Sequence, residues 1–511
     1  MRTGAAQLDG ATFDLCVVGA GIQGAAVARD AALRGLSVLL VDARDLAAGT
    51  SSRSSRLVHG GLRYLRQGRL GLVREALRER ELLLRSCPHL VRPLPMLMPF
   101  FRDGGPARWP LRLGTWLYDR LARGSTLPGP RALSAAATAA AFPGLRTEGL
   151  RSGLEFFDAV TQDTRLTLAN VLAAHAAGAR VATWCEVTGL APGGGLRLLD
   201  WIGGDECTVR ATHVVNATGP AADRLRWLLQ VPGNELVRLS RGSHVVLPPR
   251  PGERALAAFL PDGRIQFVVP HDGGTLCGTT EVDDMLPGDE TGPPPEDVDY
   301  LLRALAHLLA PPPTRADLRF GYAGWRALPA RSGPAGALGR EAVVIDERLP
   351  GATLHTIVGG KLTTHRSLAE RLVASVFGRS EPSPTRTQPL PGGGGPREVT
   401  EPLWWRHGSR IGLLRTLLRE EPEWARPLCP HRPFLAVELV HALRNDGAVT
   451  FADAMLRRLV HVAGPCPELA CLREAHALFL RARAWPVDDD ADVAIRSLLH
   501  ELLTLVGDVG R

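Results

Sequence analysis

The chain carries a single lysine, Lys361, among 60 basic residues; every other one is arginine. Together with abundant alanine, glycine and proline, this bias marks a GC-rich genome. It makes the one retained lysine informative. A compact, rotatable ammonium that can lose its proton does what a planar, always-charged guanidinium cannot. The alternative is an ordinary solvated residue that the bias has spared. Cysteine pairing is also absent. Cys16, Cys87, Cys185, Cys207, Cys277, Cys429, Cys466 and Cys471 are scattered, and no C-x-x-C occurs. A disulfide scaffold is thereby excluded, and reduced thiols are expected. Cys466 and Cys471 stand too isolated for a zinc set, so no metal site is expected. No uncharged run reaches 18 residues, so no membrane-spanning helix is expected. The N-terminus lacks a charged start, an apolar run and a cleavage site, so no signal peptide is expected and the cytoplasm is the expected compartment. No dense basic run interleaves with aromatics, which argues against nucleic acid.

What remains is a chain of 511 residues, 45% hydrophobic and 22% charged, typical of a globular protein and too long for one core. The net charge is +7. It is either an arginine surplus spread over the surface or a match to an anionic substrate or membrane face.

The sharpest local signal is DLCVVGAGIQGAAVARDAALRGLSVLLVDARD. An apolar strand, Leu15 to Val18, runs into Gly19, Gly21 and Gly24, then a helix to about Arg34. A second apolar strand, Ser37 to Val41, ends at Asp42. This is a dinucleotide fingerprint in its proper context. Gly19 allows the tight turn, Gly21 lets a pyrophosphate approach the helix N-terminus, Gly24 lets helix and strand pack, and Asp42 can accept from ribose hydroxyls. The fingerprint alone does not separate FAD from NAD. The later strand His213 to Asn216, running into Ala217-Thr218-Gly219, suits a two-part nucleotide domain and favours FAD.

After Asp42 the chain departs from a plain dehydrogenase pattern. Thr50, Ser51, Ser52, Ser54 and Ser55 make a hydroxyl-rich loop suited to phosphates and ribitol. His59-Gly60-Gly61-Leu62-Arg63-Tyr64 follows, with glycines that let backbone lie against a flat ring and an arginine able to clamp an anion. The block GTSSRSSRLVHGGLRYL closely resembles the signature of the FAD-dependent, quinone-linked glycerol-3-phosphate dehydrogenases. The blocks FFDAVTQDTRLTLANVLAAHAAGARV, VVNATGP, RGSHVVLP, CGTTEVD, YAGWRALP and VGGKLTTHRSLAERL continue the resemblance in order, over roughly residues 12 to 375. Two positions depart from the family pattern. Ala327 follows Arg326 where proline is usual, and Asp42 stands where glutamate is common.

The resemblance implies oxidation of sn-glycerol 3-phosphate to dihydroxyacetone phosphate, with hydride passing to FAD and electrons onward to a quinone. It implies an enzyme lying peripherally on the cytoplasmic membrane. Its site residues would be His244, Lys361 and Arg326 for catalysis, with Arg63, Tyr64, Arg326 and Arg340 on the substrate. Gly19, Gly21, Gly24, Asp42, Thr50, Ser51, Ser52, Ser55, His59, Gly60, Gly61, Thr218, Gly219, Gly360, Lys361, Leu362 and Thr363 would surround the cofactor. His244 is the leading base because an unperturbed imidazole titrates nearest neutrality, and His59 is a rival. Lys361, after Gly359-Gly360 and at the start of a helical pattern, would stand between flavin and substrate oxygen. The competing readings are an oxygen-using oxidase of the same fold, an amine or amino-acid oxidase, and a flavin-binding regulator without turnover.

The expected architecture is an α/β FAD-binding, Rossmann-like, two-part nucleotide fold interleaved with an antiparallel-sheet substrate domain, followed by a C-terminal helical domain. The nucleotide-binding segments are about 12–85, 150–225 and 340–378, with the substrate segments between them. A Pro/Gly-rich linker is expected over 379–402 and helices over 403–511, serving as a cap, a dimer surface or a docking module. The apolar stretch from Pro93, with Trp109 and Trp116, is either core or a membrane-facing surface.

Overall fold

The computed structural model describes residues 1–61, 68–102, 124–284, 292–330, 341–461, 464, 466 and 468–506. Arg63, Tyr64, Arg340, Trp109 and Trp116 lie outside the described residues.

The fingerprint strand, Thr12–Val18, sits in the middle of the first sheet. It pairs in parallel with Val38–Val41 on one side and Glu206–Asn216 on the other. Ala352–Val358 continues the sheet in parallel, and Val343–Leu349 closes that edge antiparallel. Arg180–Ala182 closes the opposite edge. The central strands are buried on both faces, which is why they read as continuous apolar runs rather than alternating ones. The helices Ile22–Leu33, Asp163–Ala176 and His365–Val376 form one apolar cluster with this sheet. Ile22–Leu33 is alanine-rich and buried along most of its length, so its neighbours can approach closely.

Among the described residues the second sheet has ten strands. Val237–Leu247 pairs antiparallel with Phe320–Pro329, and Val91–Phe101 with Leu150–Thr161. Leu57–Val58 also joins it. The strands Leu57–Val58 and Leu150–Thr161, expected on the nucleotide side, therefore belong to the antiparallel side. The chain crosses between the sheets more often than segment counting suggests.

Three further expectations change. The helix after Lys361 begins later than its apolar spacing implies, at His365, because Lys361 to Thr364 form a turn closed by Thr364 N–H on the Lys361 carbonyl at 3.3 Å. The Pro/Gly-rich stretch after 379 is docked rather than free. Ser383 and Thr385 are buried against Asp30, Arg29 donates to the Gln388 carbonyl at 2.8 Å, and Arg386 pairs with Glu370. The C-terminal region is helical around its own apolar core, but it also holds a hairpin, Pro427–Cys429 with Arg432–Leu435. That hairpin brings Cys429 and His431 to Cys466 and Cys471. Their isolation in sequence does not survive folding.

Candidate active site

A cavity of ≈ 1400 Å³ lies between the two sheets. It exceeds the usual range of roughly 300–1,000 Å³ for a single small ligand and has room for a long cofactor plus substrate. One wall is the fingerprint. Gly19, Gly21, Asp42, Thr218 and Gly219 line it. Gly19 has φ +106, and a Cβ there would stand 2.6 Å from the Ala217 carbonyl oxygen. The two strand-end turns thus touch, and only glycine fits. Gly24 lies behind, against Gly19, and does not line the cavity. Asp42 accepts the Ala20 N–H at 2.6 Å and the Arg44 N–H at 2.9 Å. Burial pushes its carboxyl up, against these hydrogen bonds. Asn216 Oδ1 holds the next turn by accepting the Thr218 hydroxyl at 2.7 Å.

The hydroxyl-rich loop behaves residue by residue. Ser51 Oγ accepts the Ile22 N–H at 2.9 Å and so caps a helix whose own N-cap residue, Gly21, has no side chain. Thr50 donates to the Trp325 carbonyl at 2.6 Å, fastening the loop to the second sheet. Ser55 faces the cavity and meets His244 Nε2 at 2.9 Å. Ser52 borders a smaller cavity behind the loop instead, its hydroxyl donating to the Gly49 carbonyl at 3.0 Å. His59, Gly61, Gly360, Lys361, Leu362 and Thr363 line the far wall; Gly60 is buried but not part of the lining. The Thr363 hydroxyl is engaged with the His59 backbone N–H at 3.2 Å, so it joins the two glycine loops.

The opposite wall comes from paired strands. In the register of Val237–Leu247 with Phe320–Pro329, His244 faces Tyr322, Gly242 faces Gly324, and Ser240 faces Arg326. Alternation puts His244, Gly242, Gly324 and Arg326 on one face, and all four line the cavity. The two facing glycines leave a bare strip between imidazole and guanidinium. Arg326 folds across it: a Cβ on Gly242 would stand 2.4 Å from Arg326 Nη2. That nitrogen donates to Thr279 Oγ1 at 2.9 Å. His244 stacks on Tyr322 with centroids 5.0 Å apart. Its Nδ1 is buried without a hydrogen-bond partner among the described residues. Burial first, then the charges of Arg326 and Arg56, push its pKa down to about 3. These surroundings hold the imidazole neutral and only weakly basic, where the sequence led us to expect a group titrating near neutrality.

Lys361 lines the cavity from the turn before the helix, and its carbonyl accepts Gln23 Nε2 at 3.4 Å. Its charge also reaches Glu75, where it helps the Ser367 and Arg371 hydrogen bonds outweigh burial and hold that carboxyl low. Two residues escaped the sequence reading. Arg53, between the serines of the loop, is buried and lines the cavity. Gln23, in the first turn of the fingerprint helix, lines it too, with a buried Oε1 lacking a partner among the described residues. Arg53 could have been found as the arginine inside the serine run. Gln23 carried no signal beyond its place in the motif.

A close glycine turn at a helix start, an acid at the end of the second strand, and a long cavity running to a second sheet fit an FAD-sized cofactor. A family model described as FAD dependent oxidoreductase matches residues 14–366. The chain belongs to that family. A second model, the C-terminal domain of alpha-glycerophosphate oxidase, matches residues 349–485. The chain is 35% identical to a glycerol-3-phosphate dehydrogenase of Synechocystis sp. over 88% of its length and 89% of the relative's. It is 36% identical to a D-erythritol 1-phosphate dehydrogenase of Brucella abortus, covering 75% of this chain and 78% of that one. The structure of the glycerol-3-phosphate dehydrogenase from Bacillus halodurans complexed with FAD superposes with a TM-score of 0.77 at 26% identity, covering 99% of this chain and 98% of that chain.

Proposed function

We propose that this chain oxidises sn-glycerol 3-phosphate to dihydroxyacetone phosphate with FAD as cofactor, and that a quinone takes the electrons onward. The observation that carries the reading is the placement of His244 and Arg326 on one face of two paired strands, across a glycine strip, over a cavity whose other walls fit a dinucleotide. Bound FAD supplies the two-electron acceptor. The protein's own residues do the rest. Arg326 and Arg53, with Arg63 and Arg340 from sequence, supply forked donors for the phosphate dianion. His244, neutral in the free protein, accepts the hydroxyl proton. A bound dianion offsets the arginine charges that depress its basicity. Ser55 holds the imidazole ring by its Nε2. Lys361 supplies a mobile positive charge where negative charge develops at the cofactor and substrate oxygen.

A longer polyol phosphate is the second reading, favoured by the identity to the erythritol-phosphate enzyme. Turnover with sn-glycerol 3-phosphate, its enantiomer and D-erythritol 1-phosphate, using a soluble quinone or oxygen in turn, separates these readings. Preference for sn-glycerol 3-phosphate with quinone supports the proposal. Preference for the tetrol phosphate or for oxygen overturns the corresponding part.

A quinone substrate implies contact with a membrane face. Among the described residues no helix is long and apolar enough to cross a membrane. Among the described residues, Trp201 and Trp227 are the most exposed large apolar side chains, and Trp201 rims the cavity. Tryptophan suits the membrane interface, so the proposed contact runs through these two. Co-sedimentation with anionic vesicles should weaken in the W201A/W227A double variant while flavin content holds. Unchanged sedimentation would move the contact elsewhere. Homodimer formation is proposed for the C-terminal helices, to be checked by light scattering.

A further inference from the structure

Outside the cavity, the C-terminal region gathers four metal-ligating side chains spread from position 429 to position 471. Cys429 ends the first strand of the hairpin, and His431 stands in its turn, before Arg432–Leu435. Cys466 precedes the helix Leu469–Ala482, and Cys471 lies in its first turn. One ligand atom from each residue lies within 4.8 Å of all the others. His431 Nδ1 is 3.3 Å from Cys466 Sγ and 3.5 Å from Cys471 Sγ. A tetrahedral zinc ion with Zn–S about 2.3 Å and Zn–N about 2.0 Å sets its ligand atoms roughly 3.5–3.8 Å apart. The cluster therefore needs only small side-chain movements to close on an ion.

We infer that Cys429, His431, Cys466 and Cys471 form a structural zinc site that fastens the hairpin to the start of the helix Leu469–Ala482. Three cysteines and one histidine fill all four tetrahedral positions, which is the closed pattern of a structural rather than a catalytic ion. None of the four lines the large cavity. The inner side of the cluster is apolar, built by Leu428, Phe434, Met455 and Leu472, while His431 is exposed and Cys471 half-buried, so an ion can enter from solvent. Three thiolates and a neutral imidazole around Zn²⁺ leave one net negative charge, and Arg432 borders the same small cavity to offset it. All eight cysteines are free thiols. A disulfide would use two of the three sulfurs and strand the third beside the histidine, whereas an ion uses every group present.

The test is metal analysis of the full-length, flavin-loaded protein purified in reductant. One zinc per chain is expected, released by a mercurial reagent and captured by a colorimetric chelator. In Cys471→Ser and His431→Ala the zinc content should fall and the thermal midpoint should drop. Flavin content and the rate of substrate-driven flavin bleaching should stay unchanged. Because a cysteine variant can fail to fold, the wild-type stoichiometry decides by itself. Protein that holds no zinc as purified and takes up none when Zn²⁺ is added after reduction overturns the inference. A disulfide between two of these cysteines, found by mass after thiol alkylation of freshly lysed cells, overturns it as well.

Discussion

Arg326 and Gly242 show how much of this site depends on what one residue lacks. Arg326 crosses a strip that exists only because Gly242 has no side chain. Gly242→Ala would push the guanidinium off Thr279 and out of reach of a bound phosphate. A charge-assisted hydrogen bond contributes about 1.5–3 kcal/mol, so KM for sn-glycerol 3-phosphate should rise roughly 10- to 100-fold with flavin content unchanged. Steady-state kinetics checks this, and an unchanged KM would show that Arg326 does not hold the phosphate. His244→Gln keeps a hydrogen-bonding side chain against Ser55 but removes the proton acceptor. Flavin bleaching should slow by about 10²- to 10⁴-fold, a typical general-base contribution, with substrate affinity retained. Lys361→Arg asks why one lysine persists. If a compact cation is needed between the glycine turn and the cofactor, the planar, bulkier group should slow bleaching as well. Full activity would place Lys361 with the ordinary surface residues.

At the scale of elements, the loop after the second strand is held by the C-terminal helices. Asp45 is fully buried and accepts from Arg457 Nε at 2.6 Å and Arg458 Nη2 at 3.0 Å. Arg457 also pairs with Asp453, which takes the Trp184 indole N–H at 2.9 Å. Burial pushes the Asp45 carboxyl up, and the two arginines oppose it. Removing one charge from such a cluster leaves the other uncompensated. Asp45→Asn should therefore destabilise the protein by about 3–5 kcal/mol, read from chemical denaturation. Glu398→Gln, which breaks an exposed pair with Arg415, should give no measurable change. A small effect at Asp45 would mean that this contact is not what seats the C-terminal region.

For the whole molecule, acid stability should be set first by histidines. His89, His244 and His441 are pushed down to about 3, and His271, His365 and His461 to about 4, in each case chiefly by burial. Their folded pKa values lie below the unfolded value near 6.5. Above that pH both states are neutral and nothing is lost. As pH falls below it the unfolded chain takes up protons that the folded one refuses, and each histidine can remove up to about 1.4 kcal/mol per pH unit. The thermal midpoint should thus fall between about pH 6.5 and 4.5, before most carboxylates titrate. A flat midpoint across that window would contradict the buried, neutral assignments.

The same scale explains what the sequence could and could not disclose. The strand–glycine–helix fingerprint is legible because all its contacts are local, and so is the order of the family blocks. The face shared by His244 and Arg326 depends on the register of two strands some eighty positions apart, which spacing does not reveal. The stretch after 379 reads as a linker from its prolines and glycines, yet Asp30 and Arg29, remote in sequence, and Glu370, on the preceding helix, bind it down. Cys466 and Cys471 looked solitary because their companions lie across a hairpin. The depressed basicity of His244 follows from burial and from two arginines that only the fold brings near.

The most direct measurement is anaerobic stopped-flow mixing of the flavin-loaded protein with sn-glycerol 3-phosphate, following the oxidised flavin band, with glycerol at the same concentration in parallel. The account predicts fast, saturable bleaching with the phosphate ester and little with glycerol, since the arginines bind the dianion. A fully loaded protein that is not bleached by sn-glycerol 3-phosphate, or is bleached equally by glycerol, would contradict it.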